Sequence, residues 1–275
     1  MNDVDLHARD SALLALAEEL AREAGELVAS GRANGSGTTH TKSTPTDLVT
    51  EYDRASEALI VGRLAAVRPD DGIVGEEGAE SAGSSGIRWL IDPIDGTTNF
   101  YYGLPGYAVS IAAADEHGAF AGVVYAPVLG ELFAARRGAG ATLNGRPISC
   151  GSLADLSTAL VATGFAYHPE RRATQAQRVA RLIASVRDVR RLGAASIDLC
   201  YVACGRLDAY FEEGLGPWDL AAGELIAREA GCRSGDFRGG PARPGEVAVA
   251  GPELFDSLVS LIRTASDRTH DSATS

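Results

Sequence analysis

The stretch Trp89 to Phe100 reads Trp-Leu-Ile-Asp-Pro-Ile-Asp-Gly-Thr-Thr-Asn-Phe, and it constrains the chain more than any other. Trp89-Leu90-Ile91 is an apolar run of the kind that forms a buried strand, and Asp92-Pro93-Ile94-Asp95-Gly96 is expected to turn the chain sharply behind it. Pro93 presets φ and Gly96 permits a conformation closed to other residues. The backbone between them is therefore stiff and can present the Ile94 carbonyl alongside the Asp92 and Asp95 carboxylates. Such hard oxygen donors suit Mg²⁺. The same letters are also good turn chemistry, since Asp, Pro and Gly dominate turns for backbone reasons alone. Two other stretches favour a site. Ile73-Val74-Gly75-Glu76-Glu77-Gly78 again ends a short apolar strand in acids, and at Pro217-Trp218-Asp219 an acid opens an amphipathic helix. Three acidic element ends suggest one shared polyanionic site.

At 275 residues the chain is expected to form one domain of two closely packed halves, about 1–150 and 151–264, with 265–275 as a frayed polar tail. No apolar run approaches the ~18 residues of a membrane span, and the acidic start Met1-Asn2-Asp3-Val4-Asp5 is unlike a signal peptide. A soluble, cytoplasmic protein is expected. The formal charge of −12 argues against nonspecific nucleic-acid or anionic-membrane partners. A phosphate substrate would need a local remedy for that field, and bound Mg²⁺ supplies one. Cys150, Cys200, Cys204 and Cys232 lack Cys-Xaa-Xaa-Cys spacing and read as reduced thiols.

Along the chain, periodicity predicts a helix over Ser11 to Ser30, a mobile loop over Gly31 to Thr41, and a second helix over Glu51 to Val67 with Ala55, Leu59 and Leu64 inward. Ala79 to Gly86 reads as a loop at the site's edge. Strands follow at Tyr107 to Ala113, Ala119 to Tyr125 and Glu131 to Ala135, and Arg137 to Ile148 reads as a hairpin turning at Asn144-Gly145. The second half alternates: strands at Ala159 to Thr163, Val189 to Leu192 and Asp208 to Glu212, and helices at Pro169 to Val186, Ser196 to Gly205, Asp219 to Gly231 and Pro252 to Thr264. The order implies stacked α and β layers. No Gly-Xaa-Ser-Xaa-Gly elbow or Walker A loop is present, and the five histidines are scattered without zinc spacing. Metal-activated water remains as the nucleophile.

Gly75-Glu76-Glu77, Asp92-Pro93-Ile94-Asp95-Gly96-Thr97-Thr98-Asn99-Phe100 and Trp218-Asp219 with its helix resemble the signatures of the inositol monophosphatase family, bacterial type, over about Lys42 to Phe237. The resemblance implies a layered α-β-α-β-α sandwich of the α/β class and Mg²⁺-dependent hydrolysis of inositol 1-phosphate. By that likeness Glu76, Asp92 and the Ile94 carbonyl would hold a first metal, and Asp92, Asp95 and Asp219 a second, with two to three ions in all. The Gly96 and Thr97 amides would receive phosphate oxygens, while Thr97, oriented by Asp53, would place the attacking water with Glu76. Asp95, Gly193, Ala194, Ala195, Glu212 and Asp219 would meet the substrate. Lys42, the sole lysine, would lie near the metals, or is an exposed loop residue. Phe165 and Ala194 depart from the polar residues of animal members, which leaves the range of polyols open. A homodimer and lithium sensitivity also follow from the likeness. The alternatives are a related phosphatase acting on histidinol phosphate, fructose 1,6-bisphosphate or phosphoadenosine phosphate, or a regulatory binding protein that keeps the fold.

Overall fold

The computed structural model describes residues 3–33, 35 and 37–271. The chain runs through α1 (Asp3–Ala33), β1 (Thr39–Thr41), β2 (Leu48–Thr50), α2 (Glu51–Val67), β3 (Gly72–Gly75), β4 (Glu80–Ser81), β5 (Arg88–Asp95), α3 (Thr97–Tyr102), β6 (Ala108–Asp115), β7 (Gly118–Ala126), β8 (Glu131–Arg136), β9 (Ala141–Leu143) and β10 (Arg146–Ile148). It continues through β11 (Leu160–Thr163), α4 (Pro169–Leu182), β12 (Asp188–Arg190), α5 (Ala195–Ala203), β13 (Ala209–Glu212), α6 (Pro217–Glu229), β14 (Arg233–Gly235), β15 (Val247–Ala250) and α7 (Pro252–Asp271).

Two sheets organise these elements. An eight-stranded sheet has the order β10-β9-β8-β7-β6-β5-β3-β4, and a five-stranded sheet the order β12-β11-β13-β15-β14. α1 and α2 cover the outer face of the larger sheet, where Leu20, Ala24, Ile60 and Leu64 bury against Ile91, Ile111 and Val123. α5 and α6 fill the space between the sheets with Leu199, Leu225 and Ile226. α4 and α7 back the smaller sheet through Leu182, Leu258 and Ile262. The result is the α-β-α-β-α sandwich. Covering both faces explains why β6 and β7 read as near-continuous apolar runs in place of an alternating pattern.

Several expectations need correction. α1 runs from Asp3 to Ala33, longer than Ser11 to Ser30, because Ser11 does not cap a helix; its hydroxyl donates back to the His7 carbonyl at 2.8 Å. The loop expected over Gly31 to Thr41 instead finishes that helix and then forms β1, which pairs with β2. On α2 the inward stripe is Asp53, Ser56, Glu57, Ile60 and Leu64, whereas Ala55 is exposed and Leu59 only half-buried. Ser56 and Glu57 sit inside because they satisfy backbone groups: Ser56 donates to the Pro93 carbonyl at 3.1 Å, and Glu57 accepts from the Glu77 and Ala79 amides at 2.9 and 3.0 Å. Asp92 to Asp95 is the end of β5, irregular in register against β6, and the reversal falls on Gly96 alone. Glu80–Ser81 forms a short strand inside the expected loop. The helix expected to reach Val186 stops at Leu182, and the following strand sits at Asp188–Arg190, earlier than Val189 to Leu192. α7 continues through 265–271, where fraying was expected, and 272–275 lie outside the described residues. All four cysteines are free thiols, and among the described residues no helix is long and apolar enough to cross a membrane.

Candidate active site

The site begins with strand pairing. β3 and β5 run parallel, with Gly75 opposite Ile91, and the Glu76 amide donates to the Ile91 carbonyl at 3.1 Å. That register places Glu76 beside Asp92 at the carboxyl ends of neighbouring strands, although 16 positions separate them in sequence. α6 packs across β5 and β6, with the Trp218 carbonyl accepting from the Ser110 hydroxyl at 3.3 Å, and so delivers Asp219 to the same end. Asp219 accepts from the Gly216 amide at 2.7 Å, which closes the first turn of its own helix.

Within β5 the Ile94 amide donates to Asp92 at 3.0 Å, and the Ile94 side chain buries with Val28, Phe100 and Tyr107. Its carbonyl is thereby left on the cavity side, 3.0 Å from the Thr97 hydroxyl. Gly96 then turns the chain with φ of +89°, and a Cβ there would stand 2.9 Å from the Gly106 carbonyl oxygen and 3.2 Å from the Ala194 Cβ. No other residue fits both the conformation and the space. No side chain caps α3, and the Gly96 and Thr97 backbone lines the cavity.

Thr97 can direct its single hydroxyl proton to Asp53, at 3.0 Å, or to the Ile94 carbonyl. Asp53 is fully buried and held by the Thr50 amide and hydroxyl at 2.7 and 2.6 Å, in the capping box that starts α2. Asp95 accepts from the Ala195 amide at 3.2 Å, from the Ser196 amide at 2.6 Å and from the Ser196 hydroxyl. The start of α5 is thus tied to β5, and the Ala195 amide is already engaged. Glu212 accepts from the buried Tyr210 hydroxyl at 2.6 Å. A Cβ at position 164 would collide with Glu212, 1.9 Å from Oε2, so Gly164 lets that acid turn inward.

Glu76, Asp92, Ile94, Asp95, Gly96, Thr97, Gly193, Ala194, Ala195, Glu212 and Asp219 all line one cavity of about 330 Å³. Asp53 lies behind it, reaching it through Thr97. Lys42 is also outside the lining: its ammonium donates to Glu76 at 2.9 Å and pairs with Glu77, whose Oε1 has no other partner. Burial works against that charge, but Glu76 and Glu77 outweigh it and raise the Lys42 pKa. Among the described residues it is the one cation ion-paired with Glu76, Asp92, Asp95 or Asp219.

Burial is the first cause raising Asp92, Asp95 and Asp219 above the usual carboxylate range, and mutual repulsion within the acidic group is the second. Ser196 opposes the shift at Asp95. Burial also pushes Glu212 up to about 7, against Tyr210 and Arg191, and Glu77 up to about 7, against Lys42. Buried carboxylates without paired cations are costly. A set of carboxylate and carbonyl oxygens in that state fits a hard divalent cation, which removes the cost. Among the described residues no three acids, thiols or imidazoles already stand at coordinating positions around one point. Glu76 is turned to Lys42, Asp219 to Gly216 and Asp95 to α5. The donors are adjacent and not yet closed.

Sequence reasoning missed the bond of Ser196 to Asp95, having placed only its backbone against the polyol, and missed Glu57, Tyr210 and Asp198. The first three act on partners far along the chain or hidden by a strand's facing. Asp198 did leave a trace, as a lone acid in the apolar helix Ser-Ile-Asp-Leu-Cys-Tyr-Val.

The layered sandwich and a polar cavity at strand ends define an α/β protein with a candidate small-molecule site at the carboxyl ends of its strands. Residues 10–268 match the inositol monophosphatase family, and the chain belongs to that family of phosphatases. It is 44% identical over 271 residues to an inositol-1-monophosphatase of Mycobacterium leprae, covering 91% of this chain and 93% of that one. It is 39% identical over 255 residues to Nus factor SuhB of Vibrio cholerae, covering 91% and 96%. The crystal structure of extragenic suppressor protein suhB from Bartonella henselae superposes with a TM-score of 0.87 at 35% identity, over 91% of this chain and 98% of that chain.

Proposed function

We propose that this chain is a Mg²⁺-dependent phosphatase of inositol 1-phosphate and related polyol monophosphates. The observation that carries the reading is the meeting of Glu76, Asp92, Asp95 and Asp219, from three separate elements, in one cavity, with Lys42, outside the lining, the one cation ion-paired to any of them among the described residues. These acids with the Ile94 carbonyl would hold two to three Mg²⁺ ions. Bound Mg²⁺ would neutralise charge on the phosphoryl oxygens, activate water and assist the leaving alkoxide. The Gly96 and Thr97 amides would orient the phosphate. Thr97 would accept a proton from the attacking water while passing its own to Asp53, and Glu76 would fix the water's second direction. Glu212 would take polyol hydroxyls, and since Asp95 holds the Ala195 amide, backbone contact with the polyol would rest on Gly193 and Ala194. A cytoplasmic homodimer inhibited by lithium belongs to the same reading and rests on family likeness.

Initial rates on inositol 1-phosphate, histidinol phosphate, fructose 1,6-bisphosphate and phosphoadenosine phosphate, each across a Mg²⁺ titration, test the substrate. We expect kcat/KM to favour inositol 1-phosphate by about tenfold or more. A marked preference for histidinol phosphate would overturn the assignment. A second reading, a binding role on the same fold, is favoured by the Vibrio cholerae relative being a Nus factor. It gives no reason for the acids and Thr97 to occupy one cavity.

A further inference from the structure

One fully buried acid of the cavity wall enters neither the cation-holding set nor the phosphate cradle. Asp198 stands in the first turn of α5, is 1% exposed and lines the active-site cavity. Its Oδ1 has no hydrogen-bond partner. Among the described residues only Arg32 Nε and Glu77 Oε1 share that state, and Glu77 meets Lys42. A buried acceptor left unpaired costs the full desolvation of the group, so a folded chain keeps one where something other than folding uses it. At a cavity wall the user is a ligand donor.

The neighbours indicate which part of a ligand that is. Glu212 and Arg191 act on Asp198 electrostatically, and both line the same cavity. This is the end that would receive the alcohol, with Asp95 and Asp219 toward the phosphate. Burial first, then Glu212 and Asp95, push the Asp198 carboxyl well above its ordinary range, and the neutral form can both donate and accept. Arg191, which lines the same cavity and acts on both acids, favours a neutral hydroxyl over an ammonium group as the guest.

We propose that Asp198, beside Glu212, is a specificity-determining residue that hydrogen-bonds a hydroxyl of the polyol released on hydrolysis. The assignment rests on the polyol phosphatase reading above. It is tested with Asp198→Asn and Asp198→Ala in the full chain with Mg²⁺. The measurements are kcat and KM for inositol 1-phosphate and for p-nitrophenyl phosphate, whose leaving group has no second hydroxyl, together with the Tm of each variant. We expect the ratio of kcat/KM for inositol 1-phosphate over p-nitrophenyl phosphate to fall about tenfold or more, mostly through KM for the polyol. Asp198→Asn should melt no lower than the parent, because the unpaired buried acid is gone. Parallel losses on both substrates with a lower Tm would mean a structural acid and overturn the assignment, as would an unchanged ratio in both variants. A parent that hydrolyses p-nitrophenyl phosphate but no polyol phosphate overturns the polyol reading and this assignment together. A parent active on polyols whose ratio both variants keep overturns the assignment alone.

Discussion

Asp92→Asn should lower the Mg²⁺-dependent kcat on inositol 1-phosphate by about a thousandfold, roughly 4 kcal/mol of transition-state stabilisation. Asp92 is the acid at the centre of the group: nearly all buried, with Glu76, Asp95 and Asp219 each raising its pKa after burial itself. Asparagine has the same shape and keeps an oxygen for the Ile94 amide, which now reaches Asp92 at 3.0 Å. What it removes is the charge. The same substitution should stabilise the metal-free protein, since one carboxylate fewer repels its neighbours and no ion pair is broken. For a chain of this size each kcal/mol moves Tm by roughly 2–4 °C. Activity lost while metal-free stability is gained marks a group held for function. The pair of measurements is steady-state kinetics and a thermal melt in chelator; parental activity in the variant would sink the metal mechanism, whatever the melt shows.

The metal-free protein should melt highest in mild acid and progressively lower toward pH 8, and Mg²⁺ should reverse that trend. Asp92, Asp95, Asp219 and Glu212 all have pKa values raised in the folded state, burial being the first cause in each. A raised carboxyl binds its proton more tightly folded than unfolded. Its contribution is therefore fully present below the unfolded value near 4 and is lost as pH rises through the folded value. For Glu212, moved from 4.5 to about 7, the loss is on the order of 3 kcal/mol, or several degrees of Tm. Asp71 and Asp115 are shifted downward, so they matter only below the ordinary carboxylate range and leave this window alone. Mg²⁺ competes with protons for the same oxygens, so 10 mM of it should raise Tm clearly at pH 8 and barely at pH 5.5. Melts in chelator and in Mg²⁺ at the two pH values check this. A metal-free Tm that climbs toward pH 8, or an equal Mg²⁺ effect at both, would be the wrong sign.

The acids were legible because their signal is local. Asp92, Asp95 and Gly96 lie within five residues behind an apolar run, Glu76 ends another such run, and Asp219 opens a helix. The layer order was legible for the same reason, as apolar period changes element by element. What escaped is tertiary. Ser196 looks like a helix-start serine, yet its hydroxyl and amide go to Asp95, 101 positions earlier. Glu57 looks like a solvent-facing helical acid, yet it fixes the loop after Glu76 through two amides. Tyr210 reads as a strand aromatic until Glu212 is seen to accept its hydroxyl. The β1–β2 hairpin escaped because strands of three residues carry no period, and α1 was drawn short because Ser11 resembles a cap.

The acids themselves are written in short motifs, whereas the groups that aim them come from α2, β13 and α5 and are specified only by the fold. Asp53 illustrates the division: its carboxyl starts α2 through Thr50 and, with its other oxygen, holds the Thr97 hydroxyl. One residue thus links helix capping to the position of the group expected to face the attacking water.

The most direct test is diffraction from crystals grown at pH 8 with Mn²⁺ in place of Mg²⁺, recorded at the manganese absorption edge. At least two anomalous peaks about 4 Å apart are expected, bounded by Glu76, Asp92, the Ile94 carbonyl, Asp95 and Asp219, with Lys42 withdrawn from Glu76. Fully occupied crystals whose peaks lie away from these residues, or that show none, would contradict it.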